Sequence, residues 1–430
     1  MNSPDSWRWP LGADTPGSLR VVQVNASDNG GGAARAAYRI HQALRQSGVN
    51  STLIVSVARS DDWTVQGPHT KLGRATNWVR PRLGRVVRSL LRSQNSTLHS
   101  PAIVPSRWAA SLNRCHADVI HLHWVNAEMM SIVDIGRLRK HIVWTLHDMW
   151  AFCGAEHLTE DFRWKVGYTA SNRPAYEAGF DLNRSTWWRK VRNWKRPMHI
   201  VAPSHWLADC VRQSVLMRDW PVTVIPNAID VERWAPVDKA IGRRLLGLPQ
   251  DVPLLLFGAF GGLIDSNKGF DLLIAAVEHL QGELAGLELV VFGQGRPQFP
   301  PALRLPVHYT GHLHDDISLR LLYSAADGLA IPSRQENLPN TGLEAHACGI
   351  PVVAFNVGGL PDVIQHQKTG YLAKAFDPVD LAGGIRWIIE DSKRNAALGT
   401  AARARAVEKW SYQVVADAYR AAYQTALSAR

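Results

Sequence analysis

Two glutamates separated by seven residues, Glu336 and Glu344, are the residues of this sequence best placed to do chemistry. They occur in SRQENLPNTGLEAHACGIPVVAF, where residues 341–348 are predicted to form a short helix that Gly349 ends before a buried strand. Glu336 is expected in the loop before this helix, and Glu344 in its first turn. Ligands of open parallel sheets bind beyond the carboxyl ends of strands, so both carboxylates are predicted to face a ligand crevice.

The start of this helix is predicted to bind a diphosphate, because the first N–H groups of a helix lack intrahelical acceptors and attract anions. The residues concerned are Asn340, Thr341, Gly342 and Leu343. A carboxylate beside such a site can accept hydrogen bonds from the hydroxyls of a ribose or a hexose. The alternative is a capping box, in which Thr341 begins the helix and Glu344 only caps it. That alternative leaves the next turn, NVGGLPD with Gly358 and Gly359, unexplained.

A glycine-rich loop in the first half of the chain, NASDNGGGAARAA (25–37), follows the first predicted strand. Its glycines 30–32 let backbone N–H groups approach a ligand closely at the start of a helix, where the dipole favours an anion. The loop lacks the full GxGxxG pattern of a dinucleotide site. A tight turn that needs positive φ values is the alternative explanation.

Strand-like and helical segments alternate along the whole chain, which predicts an α/β fold with parallel sheets covered by helices. Two Rossmann-like domains are predicted, an N-terminal one over 19–224 and a C-terminal one over 239–411, joined by a linker at 225–238. Residues 1–18 are predicted to be a disordered tail, and 412–430 a last helix that can pack on either domain. Residues 60–115 and 155–195 show no clear pattern.

Composition excludes several classes of protein. No apolar run reaches the roughly 18 residues of a membrane span, and the polar start lacks a signal core, so we expect a cytoplasmic protein. The four cysteines have neither disulfide nor zinc-site spacing. The net charge of +11 favours anionic partners. Because the basic residues are spread along the chain, nucleic acid is not the expected partner.

The sequence resembles a known family. Glu336-x7-Glu344, the segment EAHACGIPVVAFNVGGLPDVI and the downstream TGYL are similar to the retaining GT-B glycosyltransferases of family 4, also called glycosyltransferase group 1. The resemblance covers about residues 19–425. Segments such as DVIHLHWVN and WTLHDMWAFCG resemble the branch that builds bacterial exopolysaccharides, colanic-acid-type enzymes included. The resemblance implies a GT-B fold, in which two Rossmann-like domains face each other.

The resemblance also implies roles for individual residues. Glu336 would hold hydroxyls of the donor sugar at the reacting centre, and Glu344 would bind the ribose of the nucleotide. His147, in WTLHD, would face the donor sugar as a second catalytic residue. Lys268, in SNKGFDLL, would neutralise the donor diphosphate. The remaining implied contacts are Gly31 and Gly32 near the phosphates, and His123, Trp124 and Asp148 on the acceptor side.

One feature departs from the family pattern. Many relatives carry an arginine a few residues before the lysine, but GAFGGLIDSNKG has no arginine between Phe257 and Lys268. Charge neutralisation would then depend on Lys268, on backbone amides and on Arg334.

The function implied is transfer of a hexose from a GDP- or UDP-linked sugar to a glycan acceptor, lipid-linked in surface polysaccharide synthesis. The resemblance implies that no obligatory metal or other cofactor is bound. His121-x-His123 would suggest a metal site, but the sequence shows no third ligand for it. The alternatives are a GT-B nucleotide-sugar epimerase and a non-catalytic protein that binds glycan or membrane. The segment STWWRKVRNWKRP (185–197) is predicted either to contact the inner face of the plasma membrane or to pack its tryptophans on the first domain.

Overall fold

The structure is a computed structural model that describes residues 18–258, 265–280, 282–298, 300, 303–313 and 315–429. It divides into two compact units, one of residues up to Pro226 together with the segment from Val415 onward, and one of Asn227–Val414. These units are called the first and second domains below. The predicted tail, apart from residue 18, lies outside the described residues.

The first domain is built on a parallel sheet of seven strands in the order β3-β2-β1-β5-β6-β8-β9. A short antiparallel pair, β4 with β7, lies beside it. The strands are β1 (Arg20–Ser27), β2 (Asn50–Val57), β3 (Val65–Gln66), β4 (Leu91–Ser93), β5 (Val119–Leu122), β6 (His141–Thr145), β7 (Glu177–Gly179), β8 (His199–Ala202) and β9 (Val222–Val224).

Helices connect the parallel strands of this sheet. They are α1 (Gly32–Gln46), α2 (Lys71–Arg88), α3 (Trp108–Arg114), α4 (Ile132–Gly136), α5 (Arg163–Val166), α6 (Leu182–Asn193) and α7 (His205–Gln213). The central strands β5 and β8 are buried at every position, which explains why they appear in the sequence as apolar runs interrupted only by histidines.

The second domain repeats this architecture. Its described residues form a parallel sheet of six strands in the order β12-β11-β10-β13-β14-β15. The strands are β10 (Leu254–Gly258), β11 (Glu288–Phe292), β12 (Val307–Tyr309), β13 (Gly328–Ile331), β14 (Val352–Phe355) and β15 (Gly370–Ala373). The helices are α8 (Lys239–Leu245), α9 (Phe270–His279), α10 (Asp316–Ala325), α11 (Asn340–Ala347), α12 (Leu360–Val363), α13 (Pro378–Ile389) and α14 (Ser392–Trp410), with a 3₁₀ turn at Ser266–Lys268.

The last helix, α15 (Tyr412–Ser428), returns to the first domain. Its buried tyrosines hold the central strands there, since the Tyr419 hydroxyl lies 2.9 Å from Thr145 Oγ1 and the Tyr423 hydroxyl 2.7 Å from His121 Nδ1. The prediction of two α/β domains is therefore confirmed, and the last helix, whose domain the sequence left open, belongs with the first.

Helix α2 occupies the region in which the sequence showed no pattern. Its buried residues are Gly73 and Gly84, while Asn77 and Arg80 attach it to the domain through bonds to backbone carbonyls. Its large apolar residues recur at helical spacing but are exposed, so they form no stripe that faces the core.

Two further expectations concern membranes and cysteines. Over the described part of the chain, no helix combines the length and the hydropathy needed to cross a bilayer. All four cysteines are buried and free.

Candidate active site

Both sheets share one strand order, in which the chain starts in the middle, builds outward in one direction and then returns to build in the other. The reversal falls between β1 and β5 in the first domain and between β10 and β13 in the second. At such a switch point the loops after the two strands diverge and leave a crevice, where ligands of doubly wound sheets bind. The segments between these strands and the helices that follow them carry six of the predicted site residues, which are Gly31, His123, Trp124, Lys268, Arg334 and Glu336.

In the second domain the structure brings Lys268 and Glu336 together. Lys268 ends the 3₁₀ turn that precedes α9, and Glu336 lies in the loop between β13 and α11. Their Nζ and Oε1 atoms are 2.5 Å apart, and Ser333 Oγ donates to the same carboxylate at 3.2 Å. The negative charge of Glu336 raises the pKa of Lys268 and keeps the amine charged. The side chains remain 29% and 14% exposed, so solvent reaches the pair.

Two glycines fix the backbone around this ion pair. Gly269 has φ +66°, and a Cβ there would come within 1.9 Å of the Pro332 carbonyl oxygen. Gly358 has φ +55°, and a Cβ there would come within 2.1 Å of the Glu336 carbonyl oxygen. The N–H of Gly359 donates to that same oxygen at 2.9 Å. The NVGGLPD turn thus approaches the backbone of Glu336 itself, which is a structural reason for its glycines.

Arg334 makes a different contact from the one proposed for it. Its guanidinium forms two bonds to the Asp271 carboxylate, at 2.9 and 2.6 Å, and one to the Ser266 carbonyl at 2.6 Å. It therefore clamps the start of α9 to the loop that carries Glu336, and its charge is already paired with a carboxylate.

Glu344 lies deeper than expected. It is the fifth residue of α11, is 1% exposed and accepts a hydrogen bond from the Tyr323 hydroxyl at 3.0 Å. The capping-box alternative is wrong, because the helix begins at Asn340 with Pro339 as its N-cap and no side chain caps it. The placement of Glu344 in the first turn is wrong for the same reason.

The predicted row of N–H groups at the start of α11 is only partly open. The N–H groups of Gly342 and Leu343 donate to the Pro339 carbonyl at 3.1 and 3.4 Å, whereas no described residue accepts from that of Thr341. Gly342 has a packing role, since a Cβ there would meet Val363 at 3.0 Å, and the Leu343 side chain is fully buried. Asn340 Oδ1 accepts from Asn227 Nδ2 at 3.2 Å.

In the first domain the glycine loop forms an exposed turn at the start of α1. Gly30 and Gly31 have φ values of +101° and +127°, so the turn does need glycine at these positions. Gly31 is the N-cap of α1, no side chain caps the helix and its first turn, which begins at Gly32, holds no acidic residue. The Arg59 guanidinium lies over Gly30, where an added Cβ would meet it at 2.7 Å. The loop therefore combines a helix N-terminus with a cation, as an anion site requires.

The ends of β5 and β6 bring His123 and His147 together, as the pairing of these two strands requires. His123 Nδ1 lies 3.2 Å from His147 Nε2, and the two rings are stacked at 5.5 Å. Desolvation lowers the pKa of His147 to about 4, and that of His123 falls well below its usual range for the same reason. Both imidazoles are neutral at neutral pH.

Asp148 and Trp124 complete this cluster. Asp148 Oδ2 accepts from Trp124 Nε1 at 3.0 Å and lies 2.6 Å from His157 Nδ1, while Oδ1 accepts from the Trp150 N–H at 2.9 Å. Burial alone would raise the pKa of Asp148, but the contact with His157 outweighs it and the pKa is lowered. The carboxylate is therefore ionised, and both of its oxygens are engaged.

Sequence reasoning missed His157, which lies in a segment without a readable pattern. Its Nε2 contacts Ser100 Oγ at 2.8 Å, so Asp148, His157 and Ser100 are connected in the order of a hydrolase triad. Ser100 is only 3% exposed, however, and the group serves to fix Asp148 rather than to present a nucleophile. Asn25 was missed as well, although its Oδ1 holds the Trp124 N–H at 2.8 Å.

The residues of the HLH motif lie side by side, with ring centroids 4.0 Å apart. His121 is fully buried between Thr145 and Tyr423, each at 2.7 Å. In the part of the chain that the structure describes, no three His, Cys, Asp or Glu side chains are grouped to hold a metal ion.

Comparisons with known proteins agree with this architecture. The model of Glycosyltransferase Family 4 matches residues 30–233, and that of Glycosyl transferases group 1 matches residues 255–391. A D-inositol 3-phosphate glycosyltransferase of Xylanimonas cellulosilytica is 36% identical over 199 residues, or 43% of this chain and 46% of that protein. A GDP-mannose-dependent monoacylated alpha-(1-6)-phosphatidylinositol monomannoside mannosyltransferase of Corynebacterium glutamicum is 30% identical over 210 residues, or 45% of this chain and 53% of that protein.

The chain thus spans about half the length of the curated relatives it matches. Among solved structures, Anabaena HepE in complex with UDP-glucose has a TM-score of 0.64 at 17% identity and covers 95% of this chain and 100% of its own. At that identity the likeness concerns the fold. Two glycosyltransferase family models thus match this chain one after the other, and its fold is the GT-B fold of two Rossmann-like domains.

Proposed function

We propose that this protein is a retaining hexosyltransferase that moves a hexose from a nucleotide-diphosphate sugar to a glycan acceptor. The observation that carries the proposal is the Lys268–Glu336 pair at the switch point of the second domain. Departure of a nucleoside diphosphate builds negative charge on the leaving oxygen and positive character on the sugar. A fixed cation and a helix start can stabilise the first charge. A carboxylate can hold the sugar hydroxyls.

We propose retention of the anomeric configuration because the side chains at the strand ends of the first domain are either neutral or already engaged in hydrogen bonds. His123 and His147 contact each other, and Asp148 accepts bonds on both oxygens. A mechanism in which the leaving phosphate assists removal of the acceptor proton asks for no carboxylate base from this domain. Proton NMR of the product formed from an α-linked donor tests this point. An α-linked product supports retention, and a β-linked product contradicts it.

The donor base is open between uridine and guanosine. One relative is described as GDP-mannose-dependent, and other relatives as D-inositol 3-phosphate glycosyltransferases. We therefore propose a panel of UDP, GDP, UDP-glucose and GDP-mannose as donor-site ligands, with D-inositol 3-phosphate as one acceptor. An epimerase would convert the sugar without an acceptor, and a non-catalytic protein would bind without turnover.

Thermal unfolding with this panel is the first experiment. A ligand at about 100 times its Kd adds roughly 2.7 kcal/mol of stability. We expect one of UDP or GDP to stabilise the wild type and to lose most of this effect in Lys268→Ala. Lys239→Ala is the matched control, because Lys239 forms an ion pair with Asp327 at 2.6 Å elsewhere in the same domain. Stabilisation that survives Lys268→Ala, or no stabilisation by any ligand, contradicts the proposed donor site.

The proposed location is the cytoplasm, at the inner face of the plasma membrane, where a lipid-linked acceptor in surface polysaccharide synthesis would be presented. Segment 185–197 gives this little support, because Trp187 and Trp194 are 7% and 4% exposed and Trp194 Nε1 donates to the Ile132 carbonyl. These contacts favour the packing alternative for that segment.

Helix α2 supports the location better. It carries six basic residues and no acidic one. Its large exposed apolar side chains are Leu72, Trp78, Val79, Leu83 and Val86, at 42–65% exposure. A basic amphipathic helix of this kind suits an anionic lipid surface, where each cation adds about 1 kcal/mol of attraction.

Sedimentation with vesicles tests this surface. We expect the protein to bind vesicles that contain phosphatidylglycerol and not those of phosphatidylcholine alone, and Trp78→Glu to weaken binding at least tenfold. Trp63→Glu is the control, since Trp63 is 71% exposed on the same domain but lies outside α2. Equal binding by the two variants contradicts the assignment of the surface to α2.

A further inference from the structure

A continuous row of side-chain hydrogen bonds crosses the sheet of the first domain and ends at His147. Its members come from the α1, β1 and β2 region, from the loop before β3 and from the ends of β5 and β6. Consecutive partners are 2.6–3.2 Å apart. In order, they are Asp62, Thr64, His41, Ser51, Gln23, His123 and His147.

The row has a direction, because Asp62 at one end can only accept. Its carboxylate accepts a hydrogen bond from the Thr64 hydroxyl at 2.6 Å, and it also accepts hydrogen bonds from Tyr38 and Gln42. Thr64 Oγ1 must therefore accept from His41 Nε2–H at 2.8 Å. His41 Nδ1 then carries no proton, and it accepts a hydrogen bond from the Ser51 hydroxyl at 2.9 Å.

The second half of the row follows from the first. Since the Ser51 proton is used on His41, Ser51 Oγ accepts from Gln23 Nε2 at 2.9 Å, which turns Gln23 Oε1 toward His123. That oxygen accepts from His123 Nε2–H at 2.8 Å. His123 Nδ1 is left as a lone pair, and its partner at 3.2 Å, His147 Nε2, must carry the proton.

We infer that Asp62 is a remote positioning residue that holds His147 in the Nε2–H tautomer, with its proton given to His123 and its Nδ1 an acceptor. With its proton on Nε2, the His147 ring can accept but cannot donate a hydrogen bond at Nδ1, so a sugar hydroxyl that meets Nδ1 would have to be the donor. The application to a sugar hydroxyl rests on the proposed function. The tautomer itself does not.

The charge states along the row agree with this direction. Burial lowers the pKa of His41 to about 3, and desolvation lowers that of His147 to about 4, so both rings are neutral and each has one N–H. Burial alone would raise the pKa of Asp62, but the hydrogen bonds from Thr64 and Tyr38 outweigh it and lower the pKa. The opposite direction of the row would require a protonated Asp62.

Nitrogen NMR of the whole protein, labelled with ¹⁵N-histidine, reads the tautomers directly. Long-range proton–nitrogen spectra separate Nε2–H from Nδ1–H imidazole, and His41→Gln, His123→Gln and His147→Gln assign the signals. We expect His41, His123 and His147 to be neutral Nε2–H rings at pH 7. A neutral Nδ1–H ring at His147, or a charged one, overturns the inference.

Two variants that each remove a hydrogen bond of the row test whether Asp62 determines the tautomer of His147. Ser51→Ala removes one link, and Thr64→Val removes another with little change of shape. In both variants we expect His147 to show a mixture of tautomers. Ser56→Ala is the control, because Ser56 lies on the same strand and its hydroxyl has no partner among the described residues. A His147 that stays fully Nε2–H in both Ser51→Ala and Thr64→Val overturns the role of Asp62.

These spectra need neither donor nor acceptor, so their outcome is separate from that of the transfer assay. Loss of activity with an intact Nε2–H signal in the wild type would affect only the proposed function. A wrong tautomer in a protein that transfers a hexose would affect only the inference drawn from the row.

Discussion

The candidate groups of the two domains differ in how they handle charge. In the second domain, Lys268 and Glu336 form an ion pair that solvent reaches, with 29% and 14% of the side chains exposed. In the first domain, His123 is 2% exposed and its partner His147 is neutral, held in a row of hydrogen bonds. Lys268 and Glu336 follow the two switch-point strands β10 and β13. His123 follows the switch-point strand β5, whereas His147 follows its neighbour β6.

Under the proposed function, this difference in charge corresponds to two different tasks. A leaving diphosphate is charged and requires a cation, which the second domain keeps balanced by a carboxylate until a ligand competes for it. Sugar hydroxyls are neutral and require hydrogen-bond partners of fixed polarity, which the neutral histidines at the strand ends of the first domain can supply. The predictions below test this contrast, beginning with the largest effect.

Removing the cation should have the largest consequence. Lys268→Ala is expected to lower turnover of the nucleotide sugar at least 100-fold, which is the usual cost of losing one group that stabilises a charged leaving oxygen. Lys239→Ala, which breaks another ion pair of the second domain, should leave turnover within about threefold. Initial rates at saturating donor measure both. Equal loss in the two variants would contradict a special role for Lys268.

Lowering the pH should destabilise the first domain more than the second. The folded-state pKa values of His41 and His147 lie at about 3 and 4, and those of His121 and His123 are also depressed. Their stabilising contribution is therefore complete above the unfolded pKa near 6.5. As the pH falls below it, each histidine costs about 1.4 kcal/mol per pH unit, until the folded pKa is reached.

The second domain holds a buried histidine of this kind in His346, whose pKa is lowered to about 3. Hydrogen exchange of core amides at pH 7, 6 and 5 measures the free energy of opening of each domain separately. We expect the free energy of opening to fall at least twice as steeply in β1 and β5 as in β13 and β14. If the free energy of opening depends equally on pH in the two domains, the histidines of the row do not have the lowered pKa values expected from burial.

The glycine that supports Glu336 should be sensitive to a single methyl group. Gly358→Ala places a Cβ against the Glu336 carbonyl at φ +55°, so we expect a loss of about 1–3 kcal/mol in stability and weaker nucleotide binding. Gly383→Ala is the control, because Gly383 lies inside α13 with open space around it and should gain up to about 1 kcal/mol. Urea unfolding and ligand titration measure both. Unchanged nucleotide affinity in Gly358→Ala would show that the NVGGLPD turn does not contribute to nucleotide binding.

The smallest effect is expected at the crossover helix. Tyr423→Phe removes the hydroxyl 2.7 Å from His121 Nδ1 and should cost about 1 kcal/mol of stability in the first domain. Tyr309→Phe in β12 is the control, since the described residues give its hydroxyl no hydrogen bond. Thermal unfolding compares them, and an equal shift in the two variants would show that the hydrogen bond to His121 contributes nothing.

The sequence was sufficient for the parts of the fold that depend on local pattern. Apolar runs such as VPLLLFG and IPVVAF become the buried strands β10 and β14, and the return of the last helix was left open until its buried tyrosines were placed. Helix α2 was not recognised in the sequence, because its apolar residues are exposed and it is attached to the domain through Asn77 and Arg80 rather than through an apolar face.

The candidate site was predictable where a short motif contains the chemistry. Glu336 and Lys268, each singled out from a short motif, form an ion pair although they are 68 residues apart. The partners of His147 and Asp148 could not be found in this way. Gln23 is 100 residues from His123, and Asp148 depends on His157 in a segment without a pattern. Such contacts arise from strand order, which sequence spacing does not encode.

The crossover helix has a consequence for synthesis. The ribosome makes all of Asn227–Val414 before Tyr419 and Tyr423 of α15, which at about 5–20 residues per second takes on the order of ten to forty seconds. Throughout that time, β5 and β6 lack the partners of His121 and Thr145. The first domain begins to fold first but is completed last, and its newly made form is the one that a chaperone or a protease would meet.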